Sequence, residues 1–404
     1  MNSKIIPCAN SEKKTGLQIT RLLFSYSVFL LLFLNLSLQA IAAPSHKAPA
    51  EKQSIKALYI PLADHYAALV AYEKYGSQMQ FADFQIRQMK NWDFLRAYFQ
   101  AEQVDMAFVM TPLAIDMFTE KPHFRWVSLM HRDGNALAIN DVLYRQISLP
   151  SDRLDRKPDD QLARVLKTLY LENKRSIEIG MPHLLSTHSV VLYRYLKEHG
   201  LSLSLHYNAP AEVQAVTVAP PKSPAFIKAK SSRAMGAAFE QSLPWADIVE
   251  TGGYGHVAWY SKDVMPWKNG HVECIALATD KAIATKEKAL NEVIAFIHQA
   301  GQDIETARNS GGEKLEAIVR VIRKHIPMHT REAIIASLNP TLKVINYQQL
   351  DIDKAGLKQI MEFAVEGGIL TRSINIDEFA DTRFMQSPLP KTVPVSAPIT
   401  EQQQ

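Results

Sequence analysis

Residues 104–118, VDMAFVMTPLAIDMF, decide how this chain is read. Val104–Val109 is a short, mostly apolar run of the kind found in a strand buried on both faces. Thr111 then offers an N-cap oxygen, Pro112 suits the first helical position, and apolar residues resume at helical spacing to Phe118. The same unit repeats on either side. Lys56–Ile60 reads as a strand, and Asp64–Tyr75 as a helix stopped at Gly76. Ala82–Arg87 alternates like a strand, Trp92–Ala101 is helical, and Arg125–Met130 is again a strand. Strands alternating with helices over short connections predict a parallel sheet in an α/β fold.

Beyond residue 150 the pattern starts afresh. Arg156–Leu171 reads as a helix, Ser176–Ile179 as a strand, and a further helix begins near Thr187. Leu203–Tyr207, Val213–Val218 and Ala234–Phe239 are strand-like, with a helix at Ser223–Lys230. Gly252, Gly253 and Gly255 mark a crossing, after which Val272–Thr279 is a strand and Lys286–Arg308 a long amphipathic helix. The expected organisation is one lobe over 55–136, a second over 137–253, and a return to the first over 254–310. A helical segment, 311–384, packs on the first lobe, and 385–404 is a Pro- and Gln-rich disordered tail.

Residues 1–42 read as a cleaved export signal. Lys4, Lys13, Lys14 and Arg21 precede the apolar run Leu22–Leu38, and Ala40 and Ala42 take the −3 and −1 positions of a cleavage site. An exported protein of about 360 residues is left, enough for two lobes. The formal net charge of +4 comes without a basic block interleaved with aromatics, so nucleic acid is not an expected partner. Of two cysteines, Cys8 lies in the signal and Cys274 stands alone in an apolar run, where it reads as an inert core residue. No disulfide and no thiolate metal cluster follows.

Little here requires catalysis. There is no G-x-S-x-G elbow, and the glycines at 252–255 lack dinucleotide spacing. His183 and His188 are five apart, the wrong interval for two metal ligands on one helix face, so no metal and no cofactor is assigned. The junctions that open helices after strands, Asn91-Trp92, Thr111-Pro112 and Ser186-Thr187-His188, are instead places where free N–H groups favour an anion.

Several segments, in order, resemble the solute-binding proteins of the nitrate/bicarbonate and sulfonate/taurine class of ABC importers. Tyr59-Ile60-Pro61-Leu62-Ala63-Asp64 is similar to that family's first strand-loop, and Val104-Asp105-Met106-Ala107 with Thr111-Pro112-Leu113 to its next. Thr187-His188 through Tyr195-Leu196 resembles the nitrate-binding branch, as does Pro244-Trp245. Glu362–Leu370 and Asp377–Asp381 are similar to its C-terminal region. The resemblance implies a two-lobed type II periplasmic binding protein fold with a C-terminal helical extension. It also implies a monomer that is not an enzyme, holds a small anion such as a nitrate-like oxyanion or a sulfonate, and passes it to an ABC permease. Carried over by position, the ligand set is Trp92, Asn135, His188 and Lys268, with Lys268 opposing any bound calcium, and the helix starts add Thr111 and Thr187. Ser242-Leu243 stands where the branch has Gly-Glu, which removes one expected polar contact. A sensor subunit with the same pocket, or a thiamine-pyrimidine synthase-like enzyme, are the alternatives.

Overall fold

The computed structural model describes residues 51–207 and 209–385, so the expected export signal and residues 386–404 of the expected tail lie outside the described residues. Thirteen strands are present among them. They are β1 (Gln53–Tyr59), β2 (Ala82–Gln88), β3 (Met106–Met110), β4 (Phe124–Leu129), β5 (Arg132–Asp133), β6 (Asn135–Ile139) and β7 (Ile177–Met181). Then come β8 (Leu203–Ser204), β9 (Val213–Thr217), β10 (Ala238–Ser242), β11 (His256–Tyr260), β12 (Cys274–Thr279) and β13 (Ile345–Asn346).

The first sheet has the order β2-β1-β3-β12-β4 and the second β11-β6-β10-β7-β9-β8. Neither is wholly parallel. β1, β2 and β3 run together as the βαβ spacing predicts, but β12 is antiparallel to both β3 and β4. The physical reason is that β12 re-enters from the second sheet instead of through a crossover helix, which frees its direction. In the second sheet β6 pairs antiparallel with β10 and β11, while β7, β8, β9 and β10 run parallel.

The boundaries differ from those read in the sequence. Asn135 and Ala136 already belong to the second sheet through β6. His256–Tyr260, assigned by sequence to the return, is still paired with β6, so the chain rejoins the first sheet only at Cys274. The expected strand at Ala234–Phe239 starts four residues late, because residues 232–234 form the turn that ends the preceding helix, Ala234 with φ at 54°. The long helix is Asp280–Ser310, capped by Thr279, with non-helical torsions at Lys286 where the sequence reading placed its start.

The C-terminal segment braces both sheet systems. Helix Gly312–His325 lies against helices Tyr66–Tyr75 and Asp280–Ser310 of the first. Helix Lys354–Glu366 reaches across to helices Thr111–Glu120 and Thr187–Glu198, so Met361 and Ala364 share one apolar cluster with Ile115 and Val190. The Arg194 guanidinium covers the Phe363 ring at 4.3 Å. Packing on the first lobe alone is thus corrected, and the cause is an apolar helix face wide enough to meet two neighbours. Among the described residues no helix is long and apolar enough to cross a membrane.

Candidate functional site

The carboxyl ends of β1, β3, β4, β7 and β10 converge, and each is followed by a chemically active residue. After β1 the chain makes a single tight turn, Ala63–His65, that buries Asp64 and His65. Helix Trp92–Gln100 follows β2, with Asn91 Oδ1 capping the Phe94 N–H. Thr111 follows β3, His131 lies just past β4, Ser186–His188 open a helix after β7, and Ser242 ends β10. Asn135 begins β6 and Glu273 precedes β12. All of these except Asn91 are buried.

At the centre stands His131. Its Nε2 donates to Glu273 Oε2 at 3.0 Å and lies 3.6 Å from Asp64 Oδ1. Burial alone would drive off the His131 proton, but the two carboxylates outweigh it and raise its pKa to about 10. Burial likewise opposes ionisation of Asp64, yet the His131 charge prevails and holds Asp64 below the ordinary carboxylate range. Glu273 differs: burial and the Asp64 charge push it up to about 7. Burial holds His65 down at about 4 and His188 at about 3, so both rings are neutral.

The hydrogen bonds fix a tautomer. Ser242 Oγ donates to Asp64 Oδ2 at 2.8 Å, so it accepts from His188 Nε2 at 3.0 Å. The lone pair of His188 Nδ1 is therefore free, and it sits 3.7 Å from Glu273 Oε1. His65 Nδ1 lies 2.8 Å from the Ile60 carbonyl oxygen and 3.1 Å from the Ile60 N–H nitrogen, and its Nε2 lies 3.3 Å from Cys274 Sγ. Cys274 is a fully buried core thiol, as the sequence suggests, with the His65 ring as a polar neighbour, and burial raises its pKa well above the usual thiol value.

Of the residues expected from sequence, the structure brings Trp92, Thr111, Asn135, Thr187 and His188 to this centre. Their roles are not all as expected. Thr111 is not an N-cap: Met110 precedes the helix, and the Thr111 hydroxyl and N–H both donate to the Glu273 carbonyl, at 2.7 and 3.0 Å. Thr187 Oγ1 points to the same carbonyl at 3.5 Å, and Ser186 Oγ accepts from the Ser189 N–H. At each of the helix starts that were to hold an anion, the chain itself satisfies one N–H, those of Phe94, Thr111 and Ser189. Lys268 lies on an exposed turn outside the cluster, which also removes its opposition to a bound cation.

Six buried residues keep side-chain atoms without a hydrogen-bond partner here: Asp64 Oδ1, Trp92 Nε1, His131 Nδ1, both amide atoms of Asn135, His188 Nδ1 and Glu273 Oε1. Buried polar atoms are normally satisfied, because each one left bare costs about 1–3 kcal/mol. Such a concentration at one point marks a place for something that bonds to them. Sequence reasoning missed Asp64, His65, His131, Ser242, Glu273 and Cys274. A signal existed for Glu273, a lone acid inside the apolar run 272–278, and for His131, directly beyond a buried strand.

The NMT1-like family is the one whose sequence model matches, over residues 48–316. No curated protein matches the chain. Among solved structures, the ligand-binding component of an ABC-type import system from Staphylococcus aureus, with zinc bound, has 18% identity and a TM-score of 0.63, over 82% of this chain and 98% of that one. The periplasmic nitrate-binding protein NrtA from Synechocystis PCC 6803 has 16% identity and a TM-score of 0.67, over 83% and 87%. The alkanesulfonate-binding protein SsuA from Xanthomonas axonopodis pv. citri, bound to MOPS, has 11% identity and a TM-score of 0.58, over 82% and 99%. At these identities the likeness establishes the fold, that of the periplasmic binding proteins.

Proposed function

Because this chain belongs to the NMT1-like family, we propose that it is the periplasmic solute-binding component of an ABC import system. Two lobes, one on each sheet, close over a small solute and present it to a membrane permease. The observation that carries this reading is the convergence of unpartnered buried atoms from both sheets, Asp64, His131 and Glu273 beside the first with Asn135 and His188 from the second. Fold-relatives named as ligand-binding, nitrate-binding and sulfonate-binding proteins support it. Residues 1–42 serve as the export signal, and the protein works as a monomer.

The charge of the solute is revised from the sequence expectation. An anion needs free donors: the Thr111 N–H and hydroxyl and the Thr187 hydroxyl are taken by the Glu273 carbonyl, which leaves Trp92 Nε1, His131 Nδ1 and the Asn135 amide nitrogen against a larger set of free acceptors. Free acceptors predominate at Asp64, Glu273 and His188, so the solute carries positive charge or several donor hydrogens. Binding is its only task, and the solute leaves chemically unchanged.

Thermal-shift titration of the purified protein tests this. The panel covers nitrate, sulfonates, organic ammonium compounds and divalent cations, with recovery of intact solute by mass spectrometry. A cationic solute at a hundred times its Kd stabilises the fold by about 2.7 kcal/mol through mass action, and Glu273→Gln abolishes the shift. A shift with nitrate or a sulfonate alone overturns the charge assignment. A flat response throughout overturns the binding reading.

A further inference from the structure

One buried site holds four ligand-type side chains, of three donor types, within reach of one another. Asp64, His131, Glu273 and Cys274 each offer one ligand atom, and these atoms all lie within 4.8 Å of one another. None of the four residues is exposed. Two carboxylate oxygens in the group, Asp64 Oδ1 and Glu273 Oε1, have no hydrogen-bond partner despite full burial. A fifth acceptor, the lone pair of His188 Nδ1, lies 3.7 Å from Glu273 Oε1.

We propose that this site takes a divalent d-block cation of the zinc kind, bound by Asp64, Glu273, His131 Nε2 and Cys274 Sγ, the ion displacing to solvent the protons that Nε2 and the thiol carry without it. The spacing suits such an ion. Donors bonded to zinc at its usual distances stand roughly 3.3–3.8 Å apart at tetrahedral angles, and His131 Nε2 already lies 3.0 Å from Glu273 and 3.6 Å from Asp64. Small inward movements of the carboxylates and the thiol complete the set. The donor chemistry decides against calcium and magnesium, which take six or more oxygens and avoid sulfur. One imidazole, one thiolate and two carboxylates match a borderline-soft ion instead. Ser242, donating to Asp64 Oδ2, orients that carboxylate from behind, as second-layer partners of metal ligands do. The inference rests on the solute-binding reading in one respect: side chains with no exposure are reached only when the two sheets separate.

The test uses the full-length chain, stripped with chelator and dialysed against Zn²⁺ or Co²⁺. The expected result is one tightly retained ion per chain, and a thiolate-to-cobalt charge-transfer band with Co²⁺. Cys274→Ser removes that band and weakens binding about tenfold, and Glu273→Gln weakens it about a hundredfold, as for loss of a ligand or its support. Far-UV circular dichroism checks that both variants fold. Failure to retain metal overturns the inference, as does retention unaffected by Glu273→Gln, which assigns the ion to surface imidazoles such as His123. If metal fails while an organic ammonium solute stabilises the wild type but not Glu273→Gln, the metal inference falls and the solute-binding reading stands. If neither binds, both fall.

Discussion

Single buried charges carry much of the energetic tension in this protein. Glu240, in the middle of the second sheet on β10, is fully buried with neither carboxyl oxygen partnered, and burial raises its pKa well above the ordinary value. The unfolded chain ionises near the usual carboxyl pKa, whereas the folded one keeps its proton. Stability from this group is therefore complete in acid and declines as pH rises, by about 1.4 kcal/mol per unit until the folded pKa is reached. Glu240→Gln is expected to flatten the dependence of Tm on pH between 5 and 8, measured by thermal melting. His131 poses the opposite case, an imidazolium held by two acids. Asp64→Asn leaves that charge half-compensated, and we expect a loss of about 3 kcal/mol in urea unfolding at pH 7.

Elements are tied together by side chains that satisfy backbone at a distance. Glu292, inside helix Asp280–Ser310, accepts from the N–H groups of Gln80, Phe81 and Ala82 at 2.6, 2.7 and 2.9 Å, fixing the start of β2. Glu292→Ala removes all of these charge-assisted bonds and should cost about 2–3 kcal/mol in chemical unfolding. The strands and helices themselves were legible in the sequence wherever periodicity and caps agree, as at Val104–Val109 and Asn91–Trp92. Direction was not, since β12 has the composition of any buried strand and only its route sets it antiparallel. The site was half legible. Trp92 and His188 sit at strand-to-helix junctions that sequence patterns mark, whereas Glu273 and Cys274 look like core until β3 and β4 are placed on either side of them. Lys268 misled because a dipeptide match says nothing about which way a turn faces.

For the molecule as a whole, the C-terminal segment bridges the two sheet systems, and on the proposed function it governs how readily they part. Met361 packs with Ile115 on one side and Val190 on the other, and a cavity at that point costs about 2 kcal/mol. Where those contacts exist only in the closed form, each 1.4 kcal/mol lost speeds escape of bound solute about tenfold. Met361→Ala should accordingly raise the dissociation rate in stopped-flow measurements while leaving the overall fold intact. The solitary thiol offers a way to watch this happen. In a protein produced from residue 43 onward, Cys274 is the sole sulfhydryl, and it is wholly shut away. A maleimide dye can reach it only during an excursion to the open form, so the labelling rate becomes a clock for opening that needs no engineered probe, slowed by solute and quickened in Met361→Ala.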